Sequence, residues 1–266
     1  MKNVQLLLID PQKDFCLKDG ALSVPGADAD MDRVTSMVDR LGSKLDDIHV
    51  TLDCHHIFDV AHPAFWKDSS GQEPPPFTLI SASDIRDGVW TPKIVGATKR
   101  MIGYTEALDK GGRYPLCVWP PHCLIGTPGH AVVDPLMAAL NKWAVTNHGI
   151  VDFVSKGSNL WTEHYSAIKA EVPDPSDPST QLNARLIDAL MEADVLAIAG
   201  EAGSHCLANT VRDIAEAFGD DSHVKKLVLL EDGTSPVTSF EQLQDAFIAE
   251  MVGRGMQISK TTDFLV

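Results

Sequence analysis

Residues 195–218 decide the architecture more than any other part of the chain. Val195-Leu196-Ala197-Ile198-Ala199 is an apolar run with no helical period. Gly200-Glu201-Ala202-Gly203 breaks it, and Leu207, Val211, Ile214, Ala215 and Phe218 then recur at helical spacing. That order predicts a strand, a tight turn and a helix. Cys206 falls in the first turn of the helix, with Ser204 placed to cap it. The free N–H groups and the positive dipole end at such a place favour thiolate over thiol. The same N–H groups, that of Cys206 included, suit an oxyanion. The competing reading of such a cysteine is a small buried core residue.

Similar alternation runs through the chain. Val4–Ile9 predicts a buried strand, about 30–45 a helix with Met31, Val34, Met37, Val38 and Leu41 inward and Asp28 or Asp30 as cap, and Ile48–Leu52 a second strand. Val133–Trp143 and Leu182–Met191 read as helices, Ile150–Val154 and Lys226–Leu230 as strands. Ser239–Val252 reads as a helix with capping-box spacing at Ser239 and Gln242, and Met256–Ile258 as a short edge strand. Strand, helix, strand implies right-handed crossovers, hence an α/β, three-layer, Rossmann-like fold: a mostly parallel central sheet flanked by helices, with ligands at the C-terminal strand ends. We expect one domain over residues 1–266, with an insertion at about 57–118 where Pro74-Pro75-Pro76 and other turn residues interrupt the alternation. The insertion reads as a lid or oligomer contact with some structure of its own, or as a solvated excursion. It allows a homo-oligomer without requiring one.

A formal charge of −15 excludes nucleic acid and anionic membrane surfaces as partners and leaves a small molecule. Five cysteines without disulfide or zinc-finger spacing fit a reducing compartment, and the apolar run Val4–Ile9 is too short for a signal peptide or membrane span. The expected location is the cytoplasm.

Two constellations could carry chemistry. Asp10, Lys156 and Cys206 each follow a predicted strand, so a parallel sheet can bring them to one crevice. There a carboxylate can take the thiol proton while an ammonium holds the charge. Singly, Asp10 could be a turn residue and Lys156 a solvated cation. Asp53 and His55 share one face of an extended segment, and His62 and His122, with His56 as an alternative to His62, could complete a site for Zn²⁺, Fe²⁺ or Mn²⁺. Phe15 and Trp119 lie beside both sets and could hold a flat ring, or be core.

Together Leu8-Ile9-Asp10-Pro11-Gln12-Lys13-Asp14-Phe15, Asp53-Cys54-His55, Trp119-Pro120-Pro121-His122-Cys123-Leu124-Ile125-Gly126-Thr127, Lys156-Gly157 and Ser204-His205-Cys206 resemble the isochorismatase-like superfamily of cysteine hydrolases, and within it the nicotinamidases. The resemblance implies Asp10, Lys156 and Cys206 as catalytic residues. It implies Asp53, His55, His62 and His122 as ligands of a divalent metal, most readily Zn²⁺. It also implies a cis peptide at Glu201-Ala202, oxyanion contacts from Ala202 and Cys206, and Phe15 and Trp119 as ring-binding aromatics. The implied activity is hydrolysis of nicotinamide to nicotinate and ammonia through a cysteine thioester. The alternatives are a related small-amide or carbamoyl hydrolase and, from another class, a non-catalytic metal-binding module.

Overall fold

A computed structural model describes residues 2–111 and 113–266. Its centre is a six-stranded sheet in the spatial order Gln257–Ser259, Leu227–Leu230, Val195–Gly200, Val4–Ile9, Asp47–Asp53, Asp152–Lys156, with every neighbour parallel. The two middle strands are buried and, Gln5 apart, apolar, because both of their faces are covered. Helix Ala27–Leu41 packs on Asp134–Asn147, and Cys206–Ala217 on Glu241–Arg254, giving the helical layers on the sheet. Strand order reverses between Val4–Ile9 and Val195–Gly200, which opens a crevice at their C-terminal ends.

Several boundaries move from those expected. The first long helix begins at Ala27 behind Gly26, whose φ is +97°, and no side chain caps it; Asp30 is buried instead. Helix Glu241–Arg254 likewise lacks a side-chain cap, since Ser239 sits at φ +71° ahead of Phe240. The strand expected at Ile150–Val154 lies at Asp152–Lys156, so Lys156 ends the strand and pairs in register with Asp53.

Residues 57–118 fold into short elements: the antiparallel pairs Trp66–Lys67 with Thr91–Pro92 and Thr78–Ile80 with Leu116–Val118, and helices Ala82–Arg86 and Thr98–Gly111. Phe65, Trp66, Ile80, Ile85 and Met101 form a hydrophobic cluster of their own, separate from the one around the sheet. Leu160, Trp161 and Val172 pack against it, joining the excursion to the loop after Lys156. Among the described residues, no helix is long and apolar enough to cross a membrane.

Candidate active site

Register builds the first group. Ile9 pairs with Gly200 and Asp53 with Lys156, so Asp10, Glu201, Asp53 and Lys156 all reach the switch-point crevice. Gly200 has φ +113°, and a Cβ there would lie 2.1 Å from the Ile9 carbonyl oxygen, so only glycine allows this exit from the strand. Lys156 Nζ sits 3.0 Å from Asp10 Oδ2, 3.0 Å from Asp53 Oδ1 and 3.6 Å from Cys206 Sγ, all buried. Thr51 Oγ1 donates to Asp10 Oδ1 at 2.5 Å and accepts from the Asp10 N–H at 3.0 Å, which fixes the carboxyl.

Charge in this group is set by burial and neighbours. Burial raises the Asp10 carboxyl, Lys156 opposing and Asp53 reinforcing the rise. Burial also lifts the Cys206 thiol well above its ordinary value; Lys156 pulls against this, while Asp10 and Asp53 add to it. Burial and the two carboxylates thus oppose the pull of the helix end toward thiolate. For Lys156 burial works downward, but Asp10, Asp53 and Cys206 outweigh it and hold the ammonium. Ser204 is not the cap. His205 precedes the helix without a side-chain cap bond, and Ser204 Oγ instead contacts His205 Nδ1 at 2.8 Å and accepts from the Val237 N–H at 3.0 Å.

Backbone pairing builds the second group. His55 N–H donates to the Cys123 carbonyl and its own carbonyl accepts from Ile125 N–H, each at 3.1 Å, while Trp119 N–H donates to Ala61 at 2.7 Å. Those bonds draw His122 and His62 onto His55. Gln12 clamps the Asp53 backbone from both sides, at 2.7 and 2.8 Å, and Asp14 Oδ2 accepts from Cys123 N–H at 2.7 Å. In each ring Nδ1 meets an oxygen: Asp59 Oδ2 at 3.0 Å for His55, the His56 carbonyl at 2.9 Å for His62, the Pro120 carbonyl at 2.8 Å for His122. Such partners at Nδ1 orient each ring so that Nε2 is turned toward the cluster. One donor atom from each ring lies within 4.8 Å of the others. Asp53 Oδ2 is 3.1 Å from His55 Nε2 and 3.5 Å from His122 Nε2, and His62 Nε2 is buried with no partner among the described residues. Three convergent imidazole nitrogens, one of them orphaned and buried, and one carboxylate oxygen are a donor set that suits a divalent metal. His56, the open alternative, is exposed and offers only its carbonyl.

Between the groups lies a pocket with Phe15, Trp119, Tyr165, His205, Ala202 and Cys206 in its walls and Asp53 and His122 on the side of the histidine cluster. No described residue of 57–118 lines it; that excursion reaches its wall where Phe77 meets Trp119 edge-on at 5.8 Å. The Glu201-Ala202 peptide is cis. Neither the Ala202 nor the Cys206 N–H donates to an acceptor among the described residues.

The fold has solved relatives. Yeast nicotinamidase bound to the inhibitor nicotinaldehyde superposes with a TM-score of 0.66 at 19% identity, over 97% of this chain and 99% of that one. A Leishmania-type relative, PnC1 from L. infantum with nicotinate, gives 0.61 at 20% over 98% and 94%, and Pyrococcus horikoshii pyrazinamidase with zinc 0.57 at 20% over 97% and 99%. The chain has the nicotinamidase fold. No family model matches it, and no curated protein matches it in sequence.

On that fold, Glu163, Tyr165, His205, Leu22 and Val237 also line the pocket and escaped the motif reading. Glu163 comes from the loop after Lys156, and burial pushes its carboxyl up to about 7. The signal available was an acidic residue two positions before aromatic Tyr165, shortly after Lys156-Gly157, too short a pattern to stand out. Gly157, at φ +86°, is required because a Cβ would lie 2.6 Å from Asp53 Oδ1.

Proposed function

We propose that this chain is a nicotinamidase-like amidohydrolase that converts nicotinamide to nicotinate and ammonia through a thioester on Cys206. The observation that carries the reading is the buried Asp10, Lys156 and Cys206 contact set beside a histidine and aspartate cluster, both opening on one aromatic pocket. Relatives of the same fold that bind nicotinaldehyde, nicotinate and zinc support it.

Asp10 takes the Cys206 proton as sulfur attacks the carboxamide carbon, and passes it to the departing nitrogen, so ammonia leaves as the thioester forms. Asp10 then takes a proton from water, whose oxygen attacks the thioester carbon; nicotinate leaves and the proton returns to sulfur. Its raised carboxyl makes Asp10 a stronger base than an exposed aspartate. Lys156 balances the negative charge that moves between carboxylate and sulfur. The Ala202 and Cys206 N–H groups bind the oxyanion of each tetrahedral intermediate, where losing one donor typically costs about 10²–10³ in rate. Phe15 and Trp119 flank the ring. Asp53, His55, His62 and His122 would hold the metal, Zn²⁺ by donor type with Fe²⁺ or Mn²⁺ as alternatives, and it would supply a Lewis acid for the pyridine nitrogen.

Ammonia release from nicotinamide by the full chain, with and without chelator and beside Cys206→Ala, tests this. We expect Cys206→Ala to lower kcat by about 10³-fold or more and chelation to abolish release until metal is restored. No release from a protein whose Cys206 still takes an alkylating reagent would overturn nicotinamide as substrate, and comparison with ureido and aliphatic amides would then identify a small-amide or carbamoyl hydrolase.

A further inference from the structure

Glu201 ends an apolar strand with its carboxyl fully buried, immediately before Ala202. Its N–H donates to the Ile9 carbonyl at 2.7 Å. Its side chain meets a second buried acid, Asp30 of helix Ala27–Leu41, within hydrogen-bond reach. The two acids bracket Ser235, whose N–H donates to Glu201 Oε2 at 3.1 Å and whose hydroxyl donates to Asp30 Oδ2 at 2.6 Å.

The surrounding charges are few. Arg33 Nη2 donates to Asp30 Oδ1, and its Nε to the Asp232 carbonyl at 2.6 Å, so the guanidinium belongs to Asp30. Cys16, whose buried thiol feels both acids, offers no positive charge. Glu201 Oε1 is buried and receives no hydrogen bond from any donor among the described residues. A carboxylate there would leave one oxygen unpaired beside the negative charge on Asp30, the arrangement that burial penalises most. As an acid, the same oxygen has a hydrogen to give and Asp30 to receive it. Burial and then Asp30 push the Glu201 carboxyl well above the usual carboxylate range.

The bracket reaches the catalytic turn. Gly203 N–H donates to the Ser235 carbonyl at 2.9 Å, and the Ala202 carbonyl accepts from His205 and Leu207 N–H at 3.0 and 3.1 Å. Ser235 therefore holds the turn from Glu201 to Cys206 by its backbone at Gly203 and by the acid pair at Glu201. We propose that Glu201 is kept as the neutral acid, donates its hydrogen to Asp30, and through this shared-proton pair positions the Ala202 N–H for the oxyanion. The positioning half rests on the cysteine-hydrolase reading above. Glu201 is a positioning residue: it touches no substrate, and it acts through Ala202.

Two measurements on the full chain decide it. The first is the infrared difference spectrum of wild type minus Glu201→Gln at pH 8, in water and in deuterium oxide. We expect a protonated-carboxyl band in the wild type that shifts with deuterium and is missing from the variant; no such band overturns the shared proton. The second is single-turnover acylation of Cys206 by p-nitrophenyl acetate, which needs the oxyanion site but not nicotinamide. Glu201→Leu, which fills the volume without a hydrogen bond, should slow acylation by roughly 10- to 100-fold. Glu201→Gln, which can donate to Asp30 and accept from Ser235, should restore it to within about threefold. Wild-type speed in Glu201→Leu overturns the positioning role. So does a folded Glu201→Gln that acylates about tenfold or more slowly than wild type, a comparison that needs no leucine variant and stands if Glu201→Leu fails to fold by circular dichroism. Wild type that acylates from the ester yet releases no ammonia from nicotinamide overturns the substrate assignment and leaves the pair standing.

Discussion

Asp53 works in two directions. One oxygen meets the Lys156 ammonium and the other faces His55 and His122. Burial would raise its carboxyl, but His55, then Lys156, and the histidine hydrogen bonds hold it well below the usual range. The residue thus couples the sulfur group to the nitrogen cluster, so the two constellations form a single charge system. His55 shows the same balance reversed: burial lowers it, and the Asp53 and Asp59 carboxylates raise it further than burial pulls it down. Asp59 does this from outside the cluster, through the 3.0 Å contact to His55 Nδ1. Replacing it should free the ring and its tautomer. We expect Asp59→Ala to weaken metal binding by about 10–100-fold, read by competition with a chromogenic chelator; affinity equal to wild type would show that His55 needs no outer partner. Thr51 plays the corresponding part for Asp10. Thr51→Val removes the 2.5 Å bond that favours the charged carboxyl. It should lower kcat about tenfold with KM little changed, since one hydrogen bond to a charged group is worth about 1.5–3 kcal/mol.

At the scale of elements, the parallel strands position the sulfur group, and the excursion contributes only to the nitrogen cluster. Residues at the C-terminal strand ends meet because Ile9 pairs with Gly200 and Asp53 with Lys156; a one-residue slip in either pairing would turn a reacting side chain away. Residues 57–118 carry His62 to the nitrogen cluster but keep their own apolar cluster and leave the pocket walls to other segments. Trp66 is the largest fully buried side chain of that cluster, with its Nε1 donating to the Val60 carbonyl at 2.8 Å. Trp66→Ala should cost about 3–5 kcal/mol, measured by urea denaturation. If the excursion folds as its own unit, tryptophan fluorescence and far-ultraviolet circular dichroism will give separate transitions in this variant. Coincident transitions would instead make it part of one cooperative domain spanning 1–266.

At the scale of the whole molecule, pH acts through buried acids far from the sulfur as well as near it. Glu171 faces Arg113 at 3.8 Å, yet burial, with Asp213 adding to it, pushes its carboxyl up to about 7. An unfolded glutamate titrates near 4.3, so between about 4 and 7 the folded chain binds this proton more tightly. Its contribution is therefore most favourable below that window and is lost as pH rises through about 7. Glu171→Gln should remove the loss, gaining about 1–3 kcal/mol on wild type at pH 8 relative to pH 5; an equal difference at both values would overturn it. The alternation of apolar runs and helical periods sufficed for the α/β class, and strand-end placement singled out Asp10, Asp53, Lys156 and Cys206, because both are local properties of the chain. The motif spacing also carried His55, His122, Phe15 and Trp119. Tertiary structure alone decided the rest. It chose His62 over His56, since two loop histidines differ only in where the backbone bonds of Ala61 and His55 carry them. It turned Asp30 from an expected cap into the partner of Glu201. It brought in Glu163 and His205, and it set burial and two carboxylates against the helix end at the Cys206 thiol, because burial and the charges of distant residues act through space and leave no period in the sequence.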